Sequence, residues 1–164
     1  MTQRFSSVVA DALLADGWQP DRRDDQRAQQ WAQAVAGYVS PSGLRHTIVQ
    51  PAMDVYAEFG SVAVRPPGPG EQIAPSRFVL DPLRVHHAVQ VTAMFAGALG
   101  VPLTPIGEEN EGAGILLIDA TGKVFVMDHT AEWLVGPTLD DALEALVRGL
   151  LPARVRSDGT WAAG

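Results

Sequence analysis

The sequence contains no cysteine, which excludes disulfide bonds, thiol nucleophiles and thiolate metal ligands together. It also has no apolar run close to the roughly 20 residues that span a bilayer, so we expect no membrane association. The N-terminal stretch Met-Thr-Gln-Arg-Phe-Ser-Ser lacks the basic start and long apolar segment of a secretory signal. These absences lead us to expect a cytoplasmic protein.

Basic residues are few relative to acidic ones. The chain has 12 Lys and Arg against 19 Asp and Glu, which gives a formal net charge of -7. Nucleic-acid binding needs clustered basic side chains to neutralise phosphates, so this balance argues against it. An acidic surface is compatible with a basic protein partner, because opposite electrostatic fields speed the encounter of the two proteins. Solubility alone is an equally simple explanation of the negative charge.

The remaining composition is that of a globular protein, with 46% hydrophobic and 19% charged residues in a chain of 164. We expect residues 1–152 to form a single domain and residues 153–164 to form a flexible C-terminal tail.

Helical spacing of apolar residues predicts five helices. They cover residues 5–15, 24–37, 51–59 and 84–99, and a last segment that starts after the N-cap Thr138 and ends near Leu150. The helix over 84–99 is apolar around most of its circumference, so we expect it to be heavily buried. Residues 44–49 fit a short strand or an extended connection equally well.

The clearest strand signal is a hairpin. Residues 115–118 and 123–127 are apolar and flank Asp119-Ala120-Thr121-Gly122, where Gly122 supplies the positive φ of the turn. Neither strand alternates with polar residues, so we expect both faces of the sheet to be covered. Shorter strands are predicted at 62–64 and 78–80, and residues 107–112 are predicted as a loop. The order of elements predicts an α+β fold, a mainly antiparallel sheet with helices packed against it.

Two histidine-containing segments are candidates for chemistry. His86 and His87 are adjacent in a predicted helix and point about 100° apart, so they cannot share a metal as i, i+4 histidines do. We expect no metal and no cofactor. Asp128 and His129 leave open a small hydrolase, which a pocket lined by His129 and other polar groups would support.

Five residues are candidates for partner binding. Glu108, Glu109 and Glu111 form the densest acidic cluster, which fits a contact with Arg and Lys of a partner or a solvated loop equally well. Trp133 and Trp161 are predicted to be partly exposed, as aromatic anchors of interfaces are.

Several short segments are each weak signals but stand in a specific order. They are Asp16-Gly17-Trp18 with the residues to 23, Ala57-Glu58-Phe59-Gly60, and residues 78–82, 105–108, 117–125 and 136–149. In this order they resemble the SUKH superfamily of bacterial immunity proteins, in particular its third family, over about residues 5–151. Gly60-Ser61-Val62 departs from the family, which more often has a second glycine and a leucine there.

The resemblance implies an α+β fold with helices on a curved sheet, and a role in polymorphic toxin systems. It implies that the protein lies in the cytoplasm of the toxin-producing cell and binds a cognate toxin domain, often a nuclease or another nucleic-acid-modifying enzyme. Our leading hypothesis is that it occludes the active site or substrate groove of that toxin. The resemblance implies no catalytic residues and no transferable interface positions. The alternatives are the hydrolase using His129 and Asp128, and a regulatory scaffold that binds a host protein. The oligomeric state and the identity of the toxin stay open.

Overall fold

Over residues 3–162, the computed structural model shows five α-helices and a seven-stranded sheet. The helices are α1 (Ser7–Ala15), α2 (Asp25–Gly37), α3 (Gln50–Phe59), α4 (Val89–Leu99) and α5 (Leu139–Arg148). The strands are β1 (Ala63–Val64), β2 (Phe78–Val79), β3 (Leu103–Glu109), β4 (Gly114–Asp119), β5 (Val124–Met127), β6 (Glu132–Gly136) and β7 (Ala153–Arg154). Within these residues, no helix combines the length and the hydropathy that crossing a membrane requires.

The sheet follows the chain from β1 to β7, and each strand is antiparallel to the next. The predicted hairpin is confirmed as β4 and β5, with Leu117 opposite Phe125. A register shift between Pro105 and Gly107 interrupts the pairing of β3 with β4. The α+β class with a mainly antiparallel sheet is therefore confirmed.

Both faces of the sheet are covered, as the lack of alternation predicted. One face, which we call the helical face, packs Leu116, Ile118, Val124 and Val126 against buried residues of α1, α3 and α5. The other face, the groove face, packs Leu117, Phe125 and Met127 mainly against Phe95 of α4. A strand places successive side chains on opposite faces, so β4 and β5 contribute to two separate cores.

The predicted helix over 84–99 is wrong in its first turns. Residues 82–84 form a 3-10 turn capped by Asp81, and α4 begins only at Val89. The main-chain carbonyls of residues 83 and 86 contact histidine side chains, not helical amides. The Leu83 carbonyl lies 2.8 Å from His86 Nδ1, and the His86 carbonyl lies 2.6 Å from His46 Nε2. His86 and His87 therefore lie in a turn and not in a helix.

The expected heavy burial of this helix is also wrong. Val91 and Met94 are 45% and 70% exposed, and the buried side of α4 is limited to Val89, Thr92 and Phe95. Val91 and Met94 therefore lie on a side of α4 that stays largely open to solvent.

Two parts of the sheet differ from the predicted loops. Glu108 and Glu109 were predicted in a loop but belong to β3, where they pair with β2 on one side and β4 on the other. Strand β6 was not predicted. The β2 partners of Glu108 and Glu109, Val79 and Phe78, lie about 30 residues earlier in the chain, which local patterns do not reveal. Strand β6 pairs with its neighbour β5 across a short turn, with Met127 opposite Glu132.

The connection over 44–49 forms no strand, and the Val49 amide donates to Thr104 Oγ1 at 2.9 Å. In the segment predicted as a tail, β7 pairs with β6, Val155 is buried, and an isolated bridge joins Val155 to Trp161. The flexibility of this segment stays a prediction, and its residues 163–164 lie outside the described residues.

Candidate functional site

A groove of about 570 Å³ opens on the groove face between α4 and the sheet. Helix α4 supplies Val91, Met94, Phe95 and Ala98, which follow the i, i+3, i+4, i+7 spacing of one helix face. Ile115 of β4 and Met127 of β5 form the floor on the sheet side. The lining is thus mainly aliphatic, with one phenyl ring.

Polar residues lie at the edge of the groove where β5, β6 and the C-terminal segment meet. They are Asp128, His129, Glu132, Arg156 and Ser157. Glu132 pairs with Met127 and therefore points to the groove face, whereas the Asp128 carboxylate bonds to Trp133 on the opposite side.

Asp128 holds the turn between β5 and β6. Its Oδ1 accepts hydrogen bonds from Thr130 N, Thr130 Oγ1 and Ala131 N at 2.7–2.9 Å, and its Oδ2 accepts from Trp133 Nε1 at 3.2 Å. Desolvation works against the ionised form, but these hydrogen bonds outweigh it and lower the pKa of Asp128. The same D-x-T arrangement recurs at Asp119 and Asp158, where it also forms turns.

Because its oxygens are occupied by the turn, Asp128 does not orient the imidazole of His129. Within residues 3–162, no hydrogen bond joins His129 to a carboxylate, and His129 is exposed. The carboxylate–histidine pairing of a Ser-His-Asp site is therefore not formed in this conformation. Among the same residues, no group of three or more His, Asp or Glu is arranged to hold a metal ion.

The predicted acidic cluster is divided by the sheet. Glu108 and Glu109 are consecutive in β3 and therefore point to opposite faces. Glu108 lies on the groove face, where its Oε1 accepts from Arg84 Nη1 at 3.2 Å. Glu109 lies on the helical face against Gly114, and desolvation together with the charge of Asp128 raises its pKa. The three glutamates do not form one acidic surface.

Glu111 is the exposed member of the cluster. It occupies the tip of the β3–β4 connection with φ of 56°, next to Asn110 with φ of 51°. A left-handed conformation costs a non-glycine residue about 1 kcal/mol, and Asn tolerates it better than Glu does. The following residues, Gly112 and Ala113, line the groove, which places Glu111 beside its end.

The two predicted interface tryptophans are both partly exposed and lie on opposite faces of the sheet. Trp133 packs against the core of the helical face, with the Arg154 guanidinium 5.9 Å from its ring centroid. Trp161 packs edge-to-face on Phe125 on the groove face, with 6.0 Å between ring centroids. They cannot anchor a single flat contact.

Sequence reasoning missed the groove itself, including Val91, Met94, Glu132 and Arg156. The signal that could have found it was the apolar circumference of α4. We interpreted that pattern as burial, whereas part of it lines an open groove.

A comparison with protein families matches residues 5–149 to the family described as SUKH-3 immunity protein. A search of curated proteins and a search of solved structures each find no match. The matched span includes all five helices, strands β1 to β6 and the groove except for its C-terminal edge, so it covers the folded unit and not a local motif. The resemblance to the third SUKH family is confirmed, and the chain belongs to the SUKH-3 immunity protein family.

Proposed function

We propose that the protein neutralises a cognate toxin domain by binding it stoichiometrically and covering its active site or substrate groove. The observation that carries the proposal is the family match over residues 5–149, because membership supports an immunity-protein role. Occlusion needs no chemistry from the immunity protein. It needs a complementary contact of about 1,200–2,000 Å² of total buried surface, the usual size of a specific interface.

The charge of the protein fits a basic partner. Its net charge is -7, and a nuclease or another nucleic-acid-modifying enzyme presents cationic side chains around its substrate site. Opposite fields would speed the encounter, which matters when the toxin is made in the same cytoplasm. We propose a toxin of this class as the partner.

We propose that the groove side of the sheet makes the contact. Of the five residues predicted for partner binding, Glu108, Glu111 and Trp161 lie on that side or at its end, whereas Glu109 and Trp133 lie on the helical side. Charge reversal at Glu111 should therefore weaken toxin binding more than removal of the Trp133 ring. The opposite order would place the contact on the helical side.

Co-expression with a toxin domain found encoded next to this gene tests the proposed function. We expect growth to be restored and the purified pair to elute as a 1:1 complex, with its mass measured by light scattering. No rescue and no complex with the wild-type protein would contradict the proposal.

A small hydrolase is the second candidate, because His129, Asp128 and Glu132 line the same groove. The two functions predict different relations between binding of the toxin and protection of the cell. A catalytic His129 predicts that His129→Ala abolishes protection while the complex still forms. Stoichiometric occlusion predicts that protection and complex formation change together in every variant.

A further inference from the structure

Helix α4 is apolar on two sides, and the fold uses only one of them. Val89, Thr92 and Phe95 are the buried residues of α4. Val91, Met94 and Ala98 lie on the adjacent side and line the groove. Ala98 is exposed, as are Val91 at 45% and Met94 at 70%.

These exposed side chains form a continuous stripe. Isolated exposed aliphatic residues are ordinary on protein surfaces and need no explanation. A stripe at i, i+3 and i+7 that opens into an apolar groove is different, because contiguous exposed apolar area marks interaction sites. A groove volume of about 570 Å³ is also within the range of ligand-binding pockets in proteins.

The charges at the groove's edge favour a cationic occupant. Within residues 3–162, no ion pair engages the Glu132 carboxylate, which faces the groove. Arg156 donates from Nη1 to Thr160 Oγ1 at 3.1 Å, which draws its guanidinium toward its own turn. Glu111 adds a further exposed negative charge beside the groove's end. An apolar side chain with Lys or Arg next to it would complement both the lining and the edge.

We propose that this groove is the docking site for the toxin domain, and that it receives an aliphatic or aromatic side chain flanked by Lys or Arg. The proposal rests on the proposed function and names the contact surface and the chemistry of the partner segment. A second copy of this chain is the poorer fit, because two molecules of net charge -7 repel and each brings the same acidic edge.

A matched pair of variants tests the groove. Met94→Asp places a charge in the stripe, and Leu151→Asp places the same charge at a residue of nearly equal exposure, 70% against 67%, outside the groove. We expect Met94→Asp to weaken binding of the catalytically inactivated toxin domain by about tenfold or more, as loss of a central apolar contact does. Leu151→Asp should stay within about twofold, as substitutions outside the contact do. Equal losses in both variants, or none in Met94→Asp, would overturn the proposal.

Charge at the edge is tested by Glu132→Lys. We expect weaker binding and a smaller loss of affinity on raising the salt concentration, because one attractive pair becomes repulsive. Unchanged affinity and unchanged salt dependence would contradict the cationic partner segment.

Methionine methyl signals report the site without any substitution. Met94 and Met127 line the groove, whereas Met53 packs against the core of the helical face. In protein labelled with ¹³C at the methionine methyl groups, addition of the inactivated toxin domain should shift or broaden the signals of Met94 and Met127 and leave that of Met53 unchanged.

A complex that perturbs the Met53 signal alone would overturn the groove proposal while leaving the immunity function intact. Absence of any complex would contradict the immunity function itself. A Met94 signal that moves with the concentration of the protein alone would identify a second copy as the occupant and refute the proposal.

Discussion

The hydroxyl of Tyr56 should contribute measurably to stability. Tyr56 is fully buried in α3 and donates to the Pro105 carbonyl of β3 at 2.6 Å, next to the register shift in that strand. A tyrosine hydroxyl is protonated at neutral pH and can donate, and burial raises the pKa of Tyr56 further. Tyr56→Phe keeps the ring and creates no large cavity. It removes the bond and leaves a buried carbonyl without this donor, which costs about 1–3 kcal/mol.

Urea denaturation followed by fluorescence measures this cost. With a cost of about 2 kcal/mol and a slope of about 2 kcal/mol per molar urea, the midpoint should fall by about 1 M. The matched control is Tyr38→Phe at the second of the two tyrosines. Tyr38 is half-buried, its ring lies edge-on to His86, and its hydroxyl bonds to no described residue. The control should lose less than about 0.5 kcal/mol. Equal midpoints for the two variants would refute the assigned role of the bond.

Four further predictions concern stability. Thr138→Ala removes the side-chain oxygen that accepts from Asp141 N at 3.1 Å, so the free energy of unfolding should fall by about 1 kcal/mol in urea denaturation, and no change would refute the cap. Burial lowers the pKa of His46 from its ordinary value, so the unfolded chain binds more protons than the folded one as the pH drops from 7. The free energy of unfolding should therefore fall until the pH has passed the lowered pKa. Denaturation at several pH values should show a smaller fall for His46→Gln than for the wild-type protein. Burial raises the pKa of Glu109, so its contribution has the opposite sign, and Glu109→Gln should steepen the fall toward acid. Trp161→Ala should cost about 1–2 kcal/mol through lost packing on Phe125, whereas a freely flexible tail predicts no cost.

Local signals in the sequence predicted the parts of the fold that depend on neighbouring residues. The β4–β5 hairpin needs only a turn with Gly122 and two adjacent apolar segments, and the start of α5 needs only Thr138 and the residue three positions on. Strand β3 could not be read in this way. Glu108 and Glu109 look like a loop because they are polar, yet they pair with Val79 and Phe78 about 30 residues earlier in the chain.

The candidate site shows the same limit more strongly. An apolar helix surface indicates that side chains avoid water, but not whether this protein or a partner covers them. For α4 the described fold covers one side and leaves Met94 open. The groove also needs Glu132 and Arg156 from separate parts of the chain, and no spacing in the sequence brings those residues together. Membership of the family could be recognised because it depends on the order of segments and not on their contacts.

The most direct measurement of the central claim is titration of the toxin's activity with this protein. Stoichiometric occlusion predicts that activity falls linearly and reaches baseline at one equivalent, when the toxin concentration is well above the dissociation constant. Met94→Asp should require a clear excess to reach the same inhibition. Activity that persists at several equivalents of wild-type protein, or inhibition by catalytic amounts of it, would contradict the account.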